Sequence, residues 1–439
     1  MPEWLSPVVE WIQANPRWLA AALLIACFTE CLAVVGLLVP GTLLLLALAV
    51  VAGSGLLGAG ETLALGFLGG FAGDLASYAL GRRYHQNIRK LRGLRSHPQW
   101  LQRAELYMQQ YGVASLLVGR FVGPLRPMLP LTAGMFDMPF PRFLLVSLLA
   151  SAAWSLVYLL PAWSAGAALR LPLPHGFWRE AALLGGALAL LLGAGLWASL
   201  RQVRHAALVS TVLCAAWLTL LFLGWPRMVE FDQGLMAVLQ AERSPGMDRL
   251  MVFVTRLGDF DAQLAAGVLL VLLLAALRQW QATLFATLTL LGTAVANGLL
   301  KNGIARDRPD VLLTPLESYS LPSGHASAAF ALLLTLGVLA GRGQPPRMRL
   351  AWLSLACIPA TAIALSRLYL GVHWPTDVLA GALLAASFCG ASLAAVQWRS
   401  PLSPLRAHHW PVILASCLGL LALYGAWALD ATAALYRYR

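Results

Sequence analysis

The stretch Ser366-Arg-Leu-Tyr-Leu-Gly-Val-His373-Trp-Pro-Thr-Asp377 puts an imidazole and a carboxylate four positions apart. On a helix that spacing stacks the two side chains on one face. Asp377 can then hold the His373 ring in one tautomer and leave its second nitrogen free to attack. Ser366 and Arg367 lie just upstream and can return to the same point as anion donors. Two further stretches carry similar groups: Lys301-Asn-Gly-Ile-Ala-Arg-Asp-Arg308-Pro309 and Pro322-Ser323-Gly324-His325. Lys301 is read as ending one helix, His325 as opening the next, Arg367 as ending a third and His373 as opening a fourth. Antiparallel packing brings such ends to one surface. Three fixed cations, two histidines and one acid there suit phosphoryl transfer to a protein nucleophile. The cations neutralise the equatorial oxygens, and a histidine protonates the leaving oxygen. Ser323-Gly324, just ahead of a long apolar helix, adds free backbone N–H groups as an anion seat. Taken singly, a histidine at a helix start is ordinarily structural, and a basic residue at a membrane edge is ordinarily a topology anchor. The ordered conjunction of three blocks carries the reading.

The elements that must position these groups are membrane helices. The chain has 439 residues, of which 11% are charged, and a mean hydropathy of +0.72. Those values exclude an ordinary soluble protein. Several apolar runs approach the roughly 20 residues that a spanning helix needs, and the chain is long enough for about ten crossings. The formal net charge of +12 reflects Lys and Arg gathered in cytoplasmic loops. Nucleic-acid binding is excluded, since no basic patch is interleaved with exposed aromatics. Cys27, Cys31, Cys214, Cys357, Cys389 and Cys417 all lie in apolar runs without a Cys-x-x-Cys pair, so neither a disulfide framework nor a metal site is expected. The N-terminus has no basic region before its first apolar run and is expected to belong to the mature chain.

Residues 1–18 read as a short interfacial amphipathic helix stopped by Pro16. Leu19 to Gly60 is apolar except for Glu30, too long for one crossing and awkward for two. One helix to about Val35 and then a broken or re-entrant hairpin around Pro40-Gly41 is expected. A second helix, from about Thr62 to Leu80, carries Asp74 and Tyr78. Residues 82–111 form a strongly basic cytoplasmic surface segment. Residues 113–137 are broken by Gly123-Pro124, Pro127, Pro130 and Gly134, yet hold Arg120 and Arg126 among apolar neighbours. Such a stretch is tolerated at membrane depth only where it lines a protein cavity. Helices follow at about 143–165 and 178–200, and then a basic joint at 201–206 that sets the domain boundary. Beyond it, helices are expected at about 207–224, 262–277, 283–300, 325–341, 350–365, 375–396 and 411–429, with a polar excursion at 225–260. Arg201, Arg204, Arg278, Arg342, Arg347, Arg349, Arg399 and Arg406 fall on one side of this half, and the three blocks on the other. By the positive-inside rule the blocks face away from the cytoplasm.

Lys301-x6-Arg308-Pro309, Pro322-Ser323-Gly324-His325 and Ser366-Arg367-x5-His373-x3-Asp377 resemble the signature blocks of the type-2 phosphatidic-acid phosphatase superfamily. The resemblance covers about 207–397 and implies a six-helix bundle and metal-independent hydrolysis of a phosphomonoester or pyrophosphate, with no cofactor. His373 would be the nucleophile forming a phosphohistidine, Asp377 its orienting partner and His325 the acid for the leaving group. Lys301, Arg308, Ser323, Gly324, Ser366 and Arg367 would hold the phosphate. Residues 398–439 are left as one extra C-terminal transmembrane helix and a tail.

Glu30 with Pro40-Gly41, Gly73-Asp74 with Tyr78 and Gly81-Arg82, and Arg120-Phe-Val-Gly-Pro-Leu-Arg126-Pro-Met-Leu-Pro130 are similar to the DedA (VTT-type) family over about 15–200. That resemblance implies two re-entrant hairpins entering from opposite faces and transbilayer movement of anionic lipids. Glu30, Arg120 and Arg126 would line the lipid-phosphate path. The family commonly has an acid directly after the Pro-Gly, where this chain has Thr42; Glu61 or Asp74 would have to substitute in proton coupling. The sequence is thus read as an all-α, multi-pass protein of the bacterial cytoplasmic membrane: a DedA-like half (1–200), a basic linker (201–206) and a lipid phosphatase half (207–397). The expected activity is removal of phosphate from undecaprenyl pyrophosphate outside the cytoplasm, with the first half returning the monophosphate. The alternatives are a glycerophospholipid phosphatase whose first half only supplies lipid, and a scramblase or transporter whose phosphatase half is regulatory. Expected partners are the lipid phosphate substrate and membrane lipids; self-association into a homo-oligomer is left open.

Overall fold

The computed structural model describes residues 15–33, 35–38, 41–85, 87, 98–111, 114–121, 125–200, 205–241, 243–313, 316, 318–398 and 400–438. Among these the protein is all-α, and eight helices are long and apolar enough to cross a membrane. The chain forms two compact units, Met1–Pro172 and Leu173–Arg439.

In the first unit, Pro16 takes the first helical position of α1 (Pro16–Cys31), where its missing N–H costs nothing. The expected amphipathic start at residues 1–14 lies outside the described residues, as does Pro40. The long apolar stretch is broken into α1, α2 (Val35–Leu38) and α3 (Gly41–Val51), and α3 runs into a π-helical turn at Ala52–Leu56. Neither α2 nor α3 is long enough to span a bilayer. α4 (Ala59–Tyr84) packs on α1 along Gly69 and Gly73. A Cβ at Gly69 would stand 2.5 Å from the Leu24 carbonyl oxygen, and one at Gly73 2.6 Å from that of Phe28. This is a close backbone approach on a four-residue spacing of small residues. The basic segment is in part a helix, α5 (Pro98–Tyr111), whose Leu101, Ala104 and Met108 are buried in the same cluster as residues of α7 (Met128–Met135). Between them stands the short α6 (Ala114–Gly119). The proline-broken stretch thus gives two short helices, and α8 (Phe140–Arg170) closes the unit.

The second unit begins with α9 (Phe177–Leu200), which packs on α10 (Ala206–Gly224) and α11 (Val229–Ala241). The division between units therefore falls before this helix, ahead of the basic joint where the sequence set it. Hydropathy identified the helix but not its packing partners. The polar excursion holds two helices, α11 and α12 (Pro245–Arg256); α12 meets α13 (Phe260–Ala276) at a 42° bend. The remaining bundle helices are α14 (Trp280–Ile304), α15 (Gly324–Ala340), α16 (Pro346–Tyr369) and α17 (Pro375–Val396). Together with α10 and α13 they make six. The core of the unit includes Leu270, Phe285, Leu332 and Leu336. α18 (Trp410–Ala426) packs on α13, and a short α19 (Leu429–Leu435) follows it.

Candidate active site

The C-terminal end of α14, the N-terminal ends of α15 and α17 and the C-terminal end of α16 carry the three sequence blocks. Gly371 makes the turn between α16 and α17 with φ +72°, a conformation that glycine adopts at no steric cost. The turn is closed by the Val372 N–H donating to the Arg367 carbonyl at 3.1 Å. Arg367 and His373 are thereby held on either side of one tight reversal, both buried. Asp377 is the third residue of α17 and accepts from the Trp374 backbone N–H at 2.8 Å, capping the helix.

His373 Nδ1 lies 3.5 Å from Asp377 Oδ2 and 3.3 Å from Ser320 Oγ. Ser320 donates its hydroxyl to that same carboxylate oxygen. A hydroxyl that donates to Asp377 keeps its lone pairs for a proton on Nδ1, which directs the Nε2 lone pair the other way. On that side stands Arg308, whose Nη1 is 3.2 Å from Nε2 and also donates to the Val372 carbonyl at 2.7 Å. Arg308 is fixed further by the Ser318 carbonyl and hydroxyl, at 2.6 and 2.8 Å. Nε2 therefore points at a clamped guanidinium, a group suited to bind an anion. Burial, reinforced by Arg308, Arg367 and Lys301, pushes the His373 imidazole well below the usual histidine range. The ring is therefore neutral at neutral pH. Burial and Arg367 lower Arg308 to about 10, which leaves it charged.

Arg367 donates through Nη1 to Thr255 Oγ1 at 2.8 Å and to the Tyr436 hydroxyl at 2.9 Å. Lys301 lies beside the start of α15: a Cβ on Gly324 would be 4.0 Å from its Nζ. Ser323 Oγ is buried with no partner among the described residues, a donor available to an anion. His325 pairs through Nε2 with Asp259 Oδ1 at 2.9 Å. Ser366, by contrast, gives its hydroxyl to the Ile363 carbonyl at 2.6 Å, so in this arrangement it does not join the anion donors.

In the first unit, Arg126 Nη1 donates to Glu30 Oε1 at 2.8 Å and Arg120 pairs with Asp74, all four side chains buried. Both guanidiniums lie over the Trp154 ring, at 5.3 and 5.2 Å. Thr42 donates to Glu30 Oε1 at 2.6 Å and Ser147 to Asp74 Oδ2 at 2.6 Å. Glu30 Oε2 and Asp74 Oδ1 are buried with no partner among the described residues. Glu61 stands outside this network, accepting from the Gly58 N–H at 3.1 Å at the start of its own helix.

Residues 280–401 match the PAP2 superfamily and residues 39–164 match the VTT domain. Phosphatidylglycerophosphatase B of Bacillus subtilis (strain 168) is 32% identical over 146 residues, which are 32% of this chain and 70% of that protein. The chain belongs to the PAP2 superfamily, with a VTT (DedA) domain ahead of it. Inner membrane protein YabI of Escherichia coli (strain K12) is 36% identical over 151 residues, 34% of this chain. The chain spans 59% of the length of that relative. An undecaprenyl-diphosphatase of Sulfolobus acidocaldarius is 44% identical over 81 residues, 17% of this chain and 34% of that protein.

Around the PAP2 blocks stands a group that motif spacing did not reveal. Arg306 donates to Asp377 Oδ1 at 2.8 Å and to Asp232 Oδ2 at 2.7 Å, and it lies over the Trp225 ring at 4.4 Å. Asp232 in turn accepts from the Thr376 N–H and hydroxyl, at 2.9 and 2.6 Å. Arg306 thus keeps the acid behind His373 paired on its far side, which a buried carboxylate requires. Arg306 stands inside the first block, overshadowed in the sequence by Lys301 and Arg308. Asp232 and Asp259 lie in the excursion, where their only signal was being acids in a segment bounded by apolar helices.

Proposed function

We propose that the PAP2 unit is a metal-independent lipid phosphatase that forms a phosphohistidine on His373. The observation that carries this reading is the two-sided setting of that ring. Nδ1 faces Ser320 and Asp377, and Nε2 faces Arg308. A phosphate seated between Nε2 and the cations Arg308, Arg367 and Lys301 would be attacked by Nε2 while His325, paired with Asp259, protonates the departing oxygen. Asp377 would stabilise the imidazolium that forms, as a buttressing carboxylate does. Water would then release the phosphate.

The substrate we favour is undecaprenyl pyrophosphate, hydrolysed on the extracytoplasmic face, toward which the one-sided arginines orient the blocks. The VTT unit would return the monophosphate. Its buried Glu30–Arg126 and Asp74–Arg120 pairs supply cations that a lipid phosphate could take over from the carboxylates. The similarity to the Bacillus subtilis protein, over 70% of its length, favours a second reading, a glycerophospholipid phosphatase.

A panel of lipids presented to the purified full chain separates the readings. Undecaprenyl pyrophosphate should release phosphate fastest, and His373→Ala should abolish release while leaving movement of preformed undecaprenyl phosphate across liposomes intact. Arg126→Ala should do the reverse with a short water-soluble phosphatase substrate. Faster turnover of phosphatidylglycerol phosphate would establish the second reading. Normal lipid movement by Arg126→Ala would remove the transport role.

A further inference from the structure

The segment that follows α18 packs back onto the catalytic face. α19 is tied by Thr432 accepting from Arg256, and the Leu313 N–H donates to the Arg437 carbonyl at 2.9 Å. Between these anchors Tyr436 reaches Arg367. Its carbonyl accepts from Arg243 Nη2 at 3.1 Å, while its hydroxyl accepts from Arg367 Nη1 at 2.9 Å. Its ring also lies 5.7 Å from the Arg367 guanidinium carbon.

Nη1 of an arginine has two hydrogens. In Arg367 one goes to Thr255 Oγ1 and the other to Tyr436, so that nitrogen is saturated. The side-on edge of the fork, Nε with Nη2, is the edge that matches two oxygens of a phosphate. Nε of Arg367 is buried and has no partner among the described residues. A guanidinium pinned at one nitrogen by two acceptors has no rotational freedom left, and its open edge is set before the anion arrives. We propose that Tyr436, supplied by the C-terminal tail outside the matched PAP2 region of 280–401, is a positioning residue that presents the Nε edge of Arg367 to the substrate phosphate. The proposal rests on the reading of this pocket as a phosphate site.

Inorganic phosphate is the probe, titrated against the thermal unfolding midpoint of the purified full chain. Tyr436→Phe keeps the ring over Arg367 and removes the hydroxyl. It should weaken the apparent phosphate affinity about 10-fold, the effect of losing one hydrogen bond to a charged group. KM for substrate should rise in parallel and kcat should change less. Thr255→Val, which removes the other acceptor, should shift affinity in the same direction. Asp430→Asn, which removes only an exposed ion pair to Arg249, should change neither constant, since such pairs contribute little. Arg367→Ala separates the two levels of the argument. If it weakens phosphate binding and Tyr436→Phe does not, the positioning role is wrong and the pocket stands. If Arg367→Ala leaves phosphate binding unchanged, the pocket reading itself fails. Tighter binding by Tyr436→Phe would make the hydroxyl a competitor of phosphate, which also overturns the proposal.

Discussion

His373 sits among three cations and is buried, and both facts act on it in one direction. Protonation would add a fourth positive charge to a buried cluster, so its pKa falls well below 6.5. The proposed nucleophile must be neutral, and acidification through 6.5 leaves His373 unprotonated and, on that proposal, competent. The acid limb of kcat/KM reports the free enzyme. Corrected for ionisation of the substrate phosphate, it should show no histidine break near 6.5 and should decline only well below it. A limb that bends near 6.5 would mean an imidazole in an ordinary environment. The residues of the three blocks that the bundle gathers around His373 were legible in the sequence because they cluster within short stretches. Those that hold them were not. Arg306 meets Asp232 across 74 positions and Arg367 meets Thr255 across 112. No local spacing encodes such pairs; they exist only once the bundle is packed.

Helix ends do the positioning, so the turns between them are as consequential as the side chains. The α16–α17 turn depends on Gly371 at φ +72°, and a Cβ there would also stand 2.9 Å from Val311 Cγ1. Gly371→Ala should cost about 1–2 kcal/mol from the left-handed backbone alone. It should also lower kcat/KM, because Arg367 and His373 flank the turn. Thermal unfolding and turnover of the variant check both, and a variant with native stability and native rate would contradict the role given to this turn. Most helices of the second half could be read from hydropathy, since an apolar run of spanning length has few alternatives. The helices of the excursion were harder, because amphipathic segments such as α12 show their partners only in the packed bundle. In the first half the breaks at residues 113–137 were visible as prolines and glycines. The pairing of Arg126 with Glu30 and of Arg120 with Asp74 resolved which acid answers which arginine.

The chain joins two compact units, each with its own buried charges, and the sequence placed their boundary at a basic joint near residue 201. The structure divides them between Pro172 and Leu173. Basic residues mark where a chain meets the membrane surface, not where packing stops, and this accounts for the difference. The VTT and PAP2 assignments both lie within their own units, so each proposed activity can be tested by variants in one unit and read out separately. The proposed phosphatase depends on a covalent step at His373. Purified full chain mixed with lipid pyrophosphate labelled with radioactive phosphorus at its terminal phosphate, and quenched within a turnover, should carry label that is acid-labile and stable to base. Peptide mapping should place that label on His373, and His373→Ala should carry none. Label on another residue, or undiminished label in His373→Ala, would contradict the account.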